Sequence, residues 1–257
     1  MLKKAKGRKP TAPSTTTKAP ARKTAAVGAR EPMAGAELRA RTKAATPPKA
    51  LARFLDESAR LTDVWEVVDT AAARRVAAWR PPAAYCVVEG DLVVNGNLVV
   101  GTGKHDRGML IVFGNVVCRN VITLAGWSLV VTGSLSAEEV IVATAVDSTT
   151  YVGGSVRAIL LESGPGAWLT LFDAKKLAAK VTGYVLVGAR VLKPKSAGSA
   201  AILVPAVVES EEWDAMAEED REGEAEEDYV SVKVDAAAKR LAKGLGLLRE
   251  ASRGRRG

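Results

Sequence analysis

A short phrase recurs four times between residues 87 and 156, and it constrains the fold of this chain more than any other feature. In each copy, two mostly apolar residues precede a spacer, a glycine, a small polar residue and an aliphatic residue; the copies span residues 87–92, 111–116, 130–135 and 151–156. The repeat glycines are Gly90, Gly96, Gly114, Gly133 and Gly154. Counted from Gly96, the glycine-polar-aliphatic step recurs at intervals of 18, 19 and 21 residues. A period of this length predicts a solenoid of stacked coils.

Aliphatic runs of three to five residues lie between these glycines, at 92–94, 98–100, 129–131 and 140–142. Such runs suit β-strands and are too short for helices. The pair Asn95-Gly96 is also a strong signal for a local hairpin, but a hairpin explains one turn whereas a coil explains four. The chain therefore predicts a mainly β fold. We expect a parallel β-helix with glycine and Asp, Asn or Ser at the corners, where the backbone bends sharply.

The pattern V-x-G-[DNS]-[LV], which stands at residues 88–92, 112–116, 131–135 and 152–156, resembles the bactofilins, bacterial polymer-forming cytoskeletal proteins. The resemblance covers roughly residues 85–190. It implies a compact right-handed β-helix, nucleotide-free assembly into filaments, and short disordered tails that recruit partners or touch membrane. The chain departs from the family pattern in its irregular coils after Val156, in an inserted loop at 101–108 and in the helices predicted on both flanks.

Apolar residues between Leu51 and Trp79 recur mostly every three or four positions, which predicts an amphipathic helix. Proline pairs at 47–48 and 81–82 bound this helical segment. We expect its apolar stripe to cover the open end or one flank of the β-helix, because an uncovered terminal coil exposes strand edges and core. The predicted organisation is a disordered basic tail (1–47), the helical segment (48–81), the β-helix (82–205), an acidic linker (206–228), and a short strand with a basic amphipathic helix and tail (229–257).

The two charged segments suggest where partners attach. Residues 1–30 carry nine Lys or Arg and no acid, whereas residues 209–228 hold twelve acids and one arginine. The basic segment predicts disorder and either nucleic-acid or anionic-membrane binding by counterion release, with a merely solubilising tail as the alternative. The candidate anion-binding residues are Lys3, Lys4, Lys6, Arg8, Lys9, Lys18, Arg22 and Lys23.

The sequence carries little that points to chemistry, and we predict no catalytic, cofactor-binding or metal-binding residue. The loop 101–108 fails as a P-loop, because Leu98 stands at the first glycine position and His105 follows Lys104. His105 is the one histidine of the chain, and we interpret it as part of a solvated corner loop. The neighbouring acids at 138–139 are expected to be exposed on a turn.

The cysteines and the hydropathy profile favour a cytoplasmic protein. Cys86 and Cys118 lie in strand-like runs without metal spacing, so we interpret them as small hydrophobic residues in a reducing compartment. No run approaches 18 consecutive apolar residues, and no apolar stretch follows the first four residues, so no transmembrane span is predicted.

Three functions were compared on these grounds. The first is a non-enzymatic structural scaffold that self-associates, as a dimer or polymer, or docks protein partners. The alternative is a nucleic-acid-associated adaptor that binds through the basic N-terminal tail. An enzyme fits worst, because the chain has no sustained six-residue repeat, no clustered strand-borne carboxylates and a single histidine. A helix capping the N-terminal end favours a closed dimer through the coils near 169–204 over indefinite filaments.

Overall fold

A computed structural model describes residues 30–101, 107–143, 147–163, 168–172, 176–183, 185–187, 190–192, 202–209, 215–221 and 231–250. The described chain is mainly β, and its strands stack in parallel as a solenoid of about five turns. The predicted β-helix is therefore confirmed. Most of the basic tail (1–29), the loop at 102–106 with His105, and the acidic positions 210–214 and 222–228 lie outside the described residues.

Each coil has three sides, because a corner follows each short aliphatic run. Side A contains β2 (Val64–Val68), β4 (Tyr85–Glu89), β7 (Gly108–Phe113), β10 (Trp127–Val131), β13 (Thr149–Val152), β15 (Trp168–Leu171) and β17 (Val185–Val187). Side B contains β5 (Leu92–Val93), β8 (Val116–Cys118), β11 (Leu135–Ala137) and the start of β14 (Val156–Ser163). Side C contains β3 (Ala78–Trp79), β6 (Asn97–Val100), β9 (Asn120–Thr123), β12 (Val140–Val142), the end of β14, and the end of β16 (Leu177–Gly183), whose start continues side B.

Alternate residues of the stacked strands from β4 to β15 point into the solenoid and form columns along its axis. On side A, for example, Leu110 pairs with Leu129, which pairs with Thr150, which pairs with Leu169. Valine, leucine and isoleucine dominate this interior. Stacking at roughly 4.8 Å buries them between successive coils, so a coil is stable only with its neighbours in place.

Two of the three outer sides are covered by other parts of the chain. On side A, the helices α1 (Gly35–Ala45) and α2 (Lys49–Ser58) bury a cluster that includes Val87, Ile111 and Val130. On side C, α3 (Val234–Ala242) and the residues around it bury Val99 and Ile122. Strands on these sides are apolar on both faces, which explains their nearly continuous hydrophobic runs.

Antiparallel strands terminate side A at both ends. The strand β1 (Arg30–Ala34) pairs antiparallel with β2, and β18 (Arg190–Leu192) pairs antiparallel with β17. Pro32 lies in the edge strand β1, where a missing N–H is tolerated and discourages further pairing. A third antiparallel pair joins β19 (Val208–Glu209) to β20 (Ser231–Val232), the strands on either side of the acidic segment.

The single helix predicted over 48–81 is wrong. The helix α2 ends at Ser58, and Val64–Val68 and Ala78–Trp79 are strands of the first coil. Three of the five residues of β2 are valines, which favour a strand, and pairing with β4 overrides the helical spacing. The solenoid therefore begins at residue 64 and not at 82. Of the two positions predicted for this segment, the flank is correct for α2, which packs along side A. The predicted helical cap is wrong, because the strand β1 and not a helix closes the end of side A.

The predicted limits of the other segments need correction as well. Disorder to residue 47 is wrong for residues 30–45, which form β1 and α1 because Met33 and Leu38 are buried in the cluster outside side A. The acidic linker includes β19 and a short 3-10 helix, Glu218–Arg221. No described helix is long and apolar enough to cross a membrane.

Neither cysteine forms a disulfide, and both thiols are buried. Burial, with a smaller contribution from the carboxylate of Glu138, raises the pKa of Cys118 far above its usual range. We expect both thiols to resist a thiol reagent at pH 8 in the folded protein and to react on addition of denaturant. An unfolded thiol loses its proton above about pH 8.5, whereas the buried thiol keeps it. The free energy of unfolding is therefore also expected to fall as the pH rises above that value. Rapid reaction of the folded protein would contradict the burial of the thiols.

Candidate protein-docking surface

Four of the repeat glycines stack at the corner between sides A and B. Added methyl groups show why: a Cβ on Gly114 would lie 2.5 Å from the carbonyl carbon of Gly90, and one on Gly133 would lie 2.6 Å from the carbonyl oxygen of Gly114. Gly154 stacks on Gly133 in the same way. Gly96 lies instead at the corner between sides B and C, against Ala77. The interval of 18 residues from Gly96 to Gly114 therefore does not measure one coil.

The polar residue that follows each stacked glycine forms a hydrogen-bonded ladder along this corner. The Asp91 carboxylate accepts from the backbone and side-chain amides of Asn115, 24 residues later. The Asn115 side-chain oxygen accepts from the Ser134 amide across 19 residues, and Ser134 Oγ accepts from the Ser155 amide across 21. These spacings, 24, 19 and 21, are the true coil lengths at this corner. The ladder pairs backbone amides that the sharp bend leaves without strand partners.

A second polar ladder is buried at the corner between sides B and C. Asn120 Nδ2 donates to Asn97 Oδ1 at 3.0 Å and to Glu139 at 3.1 Å, and its own oxygen accepts from the Val140 amide. Arg119 Nε donates to Glu139 at 3.1 Å. Glu139 is only 4% exposed, so its predicted exposure on a turn is wrong. The charge is tolerated in the interior because Arg119 and Asn120 both bind it.

This buried ladder also holds the C-terminal helix against side C. Asn97 Nδ2 donates to the carbonyl oxygens of Leu241 and Leu245, at 2.9 and 3.0 Å. Leu241 lies in the last turn of α3, where carbonyls lack the regular helical partner four residues later, and Leu245 lies three residues beyond the end of the helix. One side chain therefore joins the second coil to a segment that lies 144 residues later in the chain.

Side B is the side that no described helix covers. Its outward column, here called the open face, contains Val93, Val117, Ser136, Arg157 and Ala178. Val117 is 43% exposed, although it is a large aliphatic residue in the middle of a strand. A groove of about 360 Å³ continues from this column and is lined by residues that include Glu138, Arg157 and Ile159. An apolar centre with a carboxylate and a guanidinium beside it is typical of a protein-binding surface.

The described residues bring few reactive groups together. Among them, no three His, Cys, Asp or Glu side chains are grouped as a metal site requires. Burial raises the pKa of Tyr151, whose ring packs 4.3 Å from that of Phe54 beneath α2. The predicted anion-binding residues, from Lys3 to Lys23, lie outside the described residues.

The sequence analysis did not predict the buried ladder of Asn97 and Asn120 or the exposed position of Val117, although the sequence carries a signal for each. Asn97 and Asn120 each open an aliphatic run, and this recurrence marks the buried ladder. Val117 stands between two buried residues of β8, so alternation identifies it as facing outward.

No protein-family model, curated protein or solved structure matches this chain.

Proposed function

We propose that this chain is a non-enzymatic structural scaffold, similar in kind to the bactofilins, which holds a protein partner along the open face. The observation that supports this most is the distribution of cover around the solenoid. Three helices bury the outer faces of sides A and C, whereas side B has an exposed valine, Val117, at its centre. A rigid stack of coils presents such a surface without a conformational change on binding.

The proposal differs from the family resemblance in the mode of assembly. End-to-end growth of a β-helix needs a bare parallel coil at each end, and here both ends of side A carry an antiparallel strand. The scaffold then acts as a discrete unit and not as a filament. We also propose a cytoplasmic location, because neither cysteine forms a disulfide and a reducing compartment keeps thiols in that state.

The assembly is tested by two matched deletions. The full-length protein and a variant lacking residues 1–29, which keeps β1, are expected to form no filaments in negative-stain electron microscopy or light scattering. A variant lacking residues 1–34 loses β1 and bares β2, so we expect it to associate further. Filaments of the full-length protein would contradict termination by β1 and β18.

The open face is tested with a photocrosslinking amino acid at position 117 in the cells that make the protein. We expect a discrete crosslinked adduct from this position. The same amino acid at Arg53, whose side chain is 82% exposed on α2, is the control and is expected to give no discrete adduct. A Val117→Arg variant should lose the partner but keep its circular dichroism spectrum and unfolding midpoint. Equal crosslinking from positions 117 and 53 would count against docking on the open face.

A further inference from the structure

The first coil of the solenoid carries a group of exposed cations. Arg74 and Arg75 lie in the short 3-10 helix between β2 and β3, and Arg80 follows β3. Lys243 joins them, because the neighbouring Gly244 packs directly against Ala77 of the same coil. All four side chains are exposed. Within the described residues none of the four has an acidic partner, whereas Arg39, Arg53 and Arg119 do.

Few acids offset this charge in the segment that joins β2 to β3. Asp69 is the one acid between residues 69 and 80, and its Oδ1 accepts from the Ala71 amide. Asp91 on the next coil is bound to Asn115. Unpaired arginines that stay exposed keep their full capacity to bind anions, since no internal carboxylate competes for the guanidinium.

The strand register also joins the end of the basic segment, residue 30, to the first coil. Because β1 is antiparallel to β2, Arg30 pairs with Val68, the last residue of β2. Residues 1–29 therefore join the solenoid six residues before Arg74. Residues 1–30 contain nine Lys or Arg and no acid. The first described residue after this basic segment, Arg30, therefore pairs with the same coil that carries Arg74, Arg75 and Arg80.

We propose that this N-terminal end is a nucleic-acid-binding surface, in which Arg74, Arg75 and Arg80 bind the phosphate backbone and the nine cations of residues 1–30 add to the positive charge. A guanidinium binds two phosphate oxygens with matched geometry, and several such contacts release counterions together. Residues 1–30 contain no aromatic side chain, so the binding is sequence-independent and does not use base stacking.

A membrane fits this end less well than nucleic acid does. A surface-bound segment needs apolar side chains that insert between lipids or a lipid anchor in addition to its charge. Between residues 1 and 30, the large apolar side chains are those of Met1, Leu2 and Val27 alone. The proposal concerns a different surface from the open face, so either can fail without the other.

The test compares two double variants with equal loss of charge. Arg74→Gln/Arg75→Gln removes two cations from the first coil. Lys49→Gln/Arg53→Gln removes two exposed cations from the start of α2, a turn that lies near the fifth coil because Pro48 packs beside Gly153. Each full-length protein is titrated into a fluorescent duplex of about 20 base pairs of arbitrary sequence, between about 50 and 200 mM salt. Circular dichroism and the unfolding midpoint confirm that each variant is folded.

We expect the first-coil variant to bind about tenfold more weakly at the lower salt, and its plot of log K against log salt to be shallower by about 2. The α2 variant should bind like the unaltered protein. Equal weakening of both variants, or of neither, would overturn the role of the first coil. Tighter binding to vesicles rich in phosphatidylserine than to the duplex at the same salt would overturn nucleic acid as the partner. Equal competition by polyglutamate of matched charge would overturn it as well.

Discussion

Replacement of Gly114 with alanine is expected to lower the free energy of unfolding by about 3 kcal/mol, at the upper end of the usual cost of overpacking. The new methyl group would lie 2.5 Å from the carbonyl carbon and oxygen of Gly90 and 2.7 Å from Asp91 Oδ1. Two of these three atoms belong to the backbone of the preceding coil, so the clash can be relieved only by separating stacked coils. Urea unfolding followed by circular dichroism measures the effect.

Gly90 provides the matched control, because it occupies the same corner one coil earlier. A Cβ on Gly90 meets no atom within 4 Å, but the residue has a φ of +78°. Gly90→Ala therefore introduces backbone strain without a clash, and we expect a loss of about 1 kcal/mol. A larger loss at Gly90 than at Gly114 would show that backbone conformation, and not close stacking, requires glycine at this corner.

Replacement of Asn120 with alanine is the second change with a large expected effect, again about 3 kcal/mol. The side chain is fully buried, and its loss leaves Asn97 Oδ1, one oxygen of Glu139 and the Val140 amide without this partner. Each buried polar group that loses its partner costs about 1–3 kcal/mol, and the cost is higher for a charged group. Asn97 also holds α3, so we expect faster hydrogen exchange at the end of that helix.

Asn115→Ala is the matched control for this prediction. Asn115 also donates to one neighbouring coil and accepts from the other, but it lies in the exposed ladder. Water replaces its partners when the side chain is removed, so the expected loss is about 1 kcal/mol or less. Similar losses at Asn115 and Asn120 would mean that the hydrogen bonds themselves, and not their burial, set the cost.

Much of the solenoid could be predicted from the sequence because its contacts recur along the chain. A residue of one coil touches residues 19 to 24 positions away, as the corner ladder from Asp91 to Ser155 shows. The sequence of each repeat therefore predicts its own strands, and its glycine with the following small polar residue predicts the bend between them. The register still depended on structure, since Gly96 and Gly114 look equivalent in sequence but occupy different corners.

Tertiary structure alone decided the conformation of Val64–Val68 and the burial of Glu139. The segment Val64–Val68 fits either a helix or a strand by spacing, and pairing with β1 and β4 decides for the strand. Burial of Glu139 depends on Arg119, which lies one coil below it.

By itself, the sequence determined the repeating core, the corner chemistry and the charge of the tails, because short-range patterns encode interactions that recur at nearly constant spacing. The tertiary structure alone decided which sides are covered, how the ends of side A are closed and where Arg30 joins the solenoid. The contact of Asn97 with α3 joins residues 144 positions apart and occurs once. A single contact of that range leaves no period in the sequence, so the open face and the cationic first coil emerge only when the chain is folded.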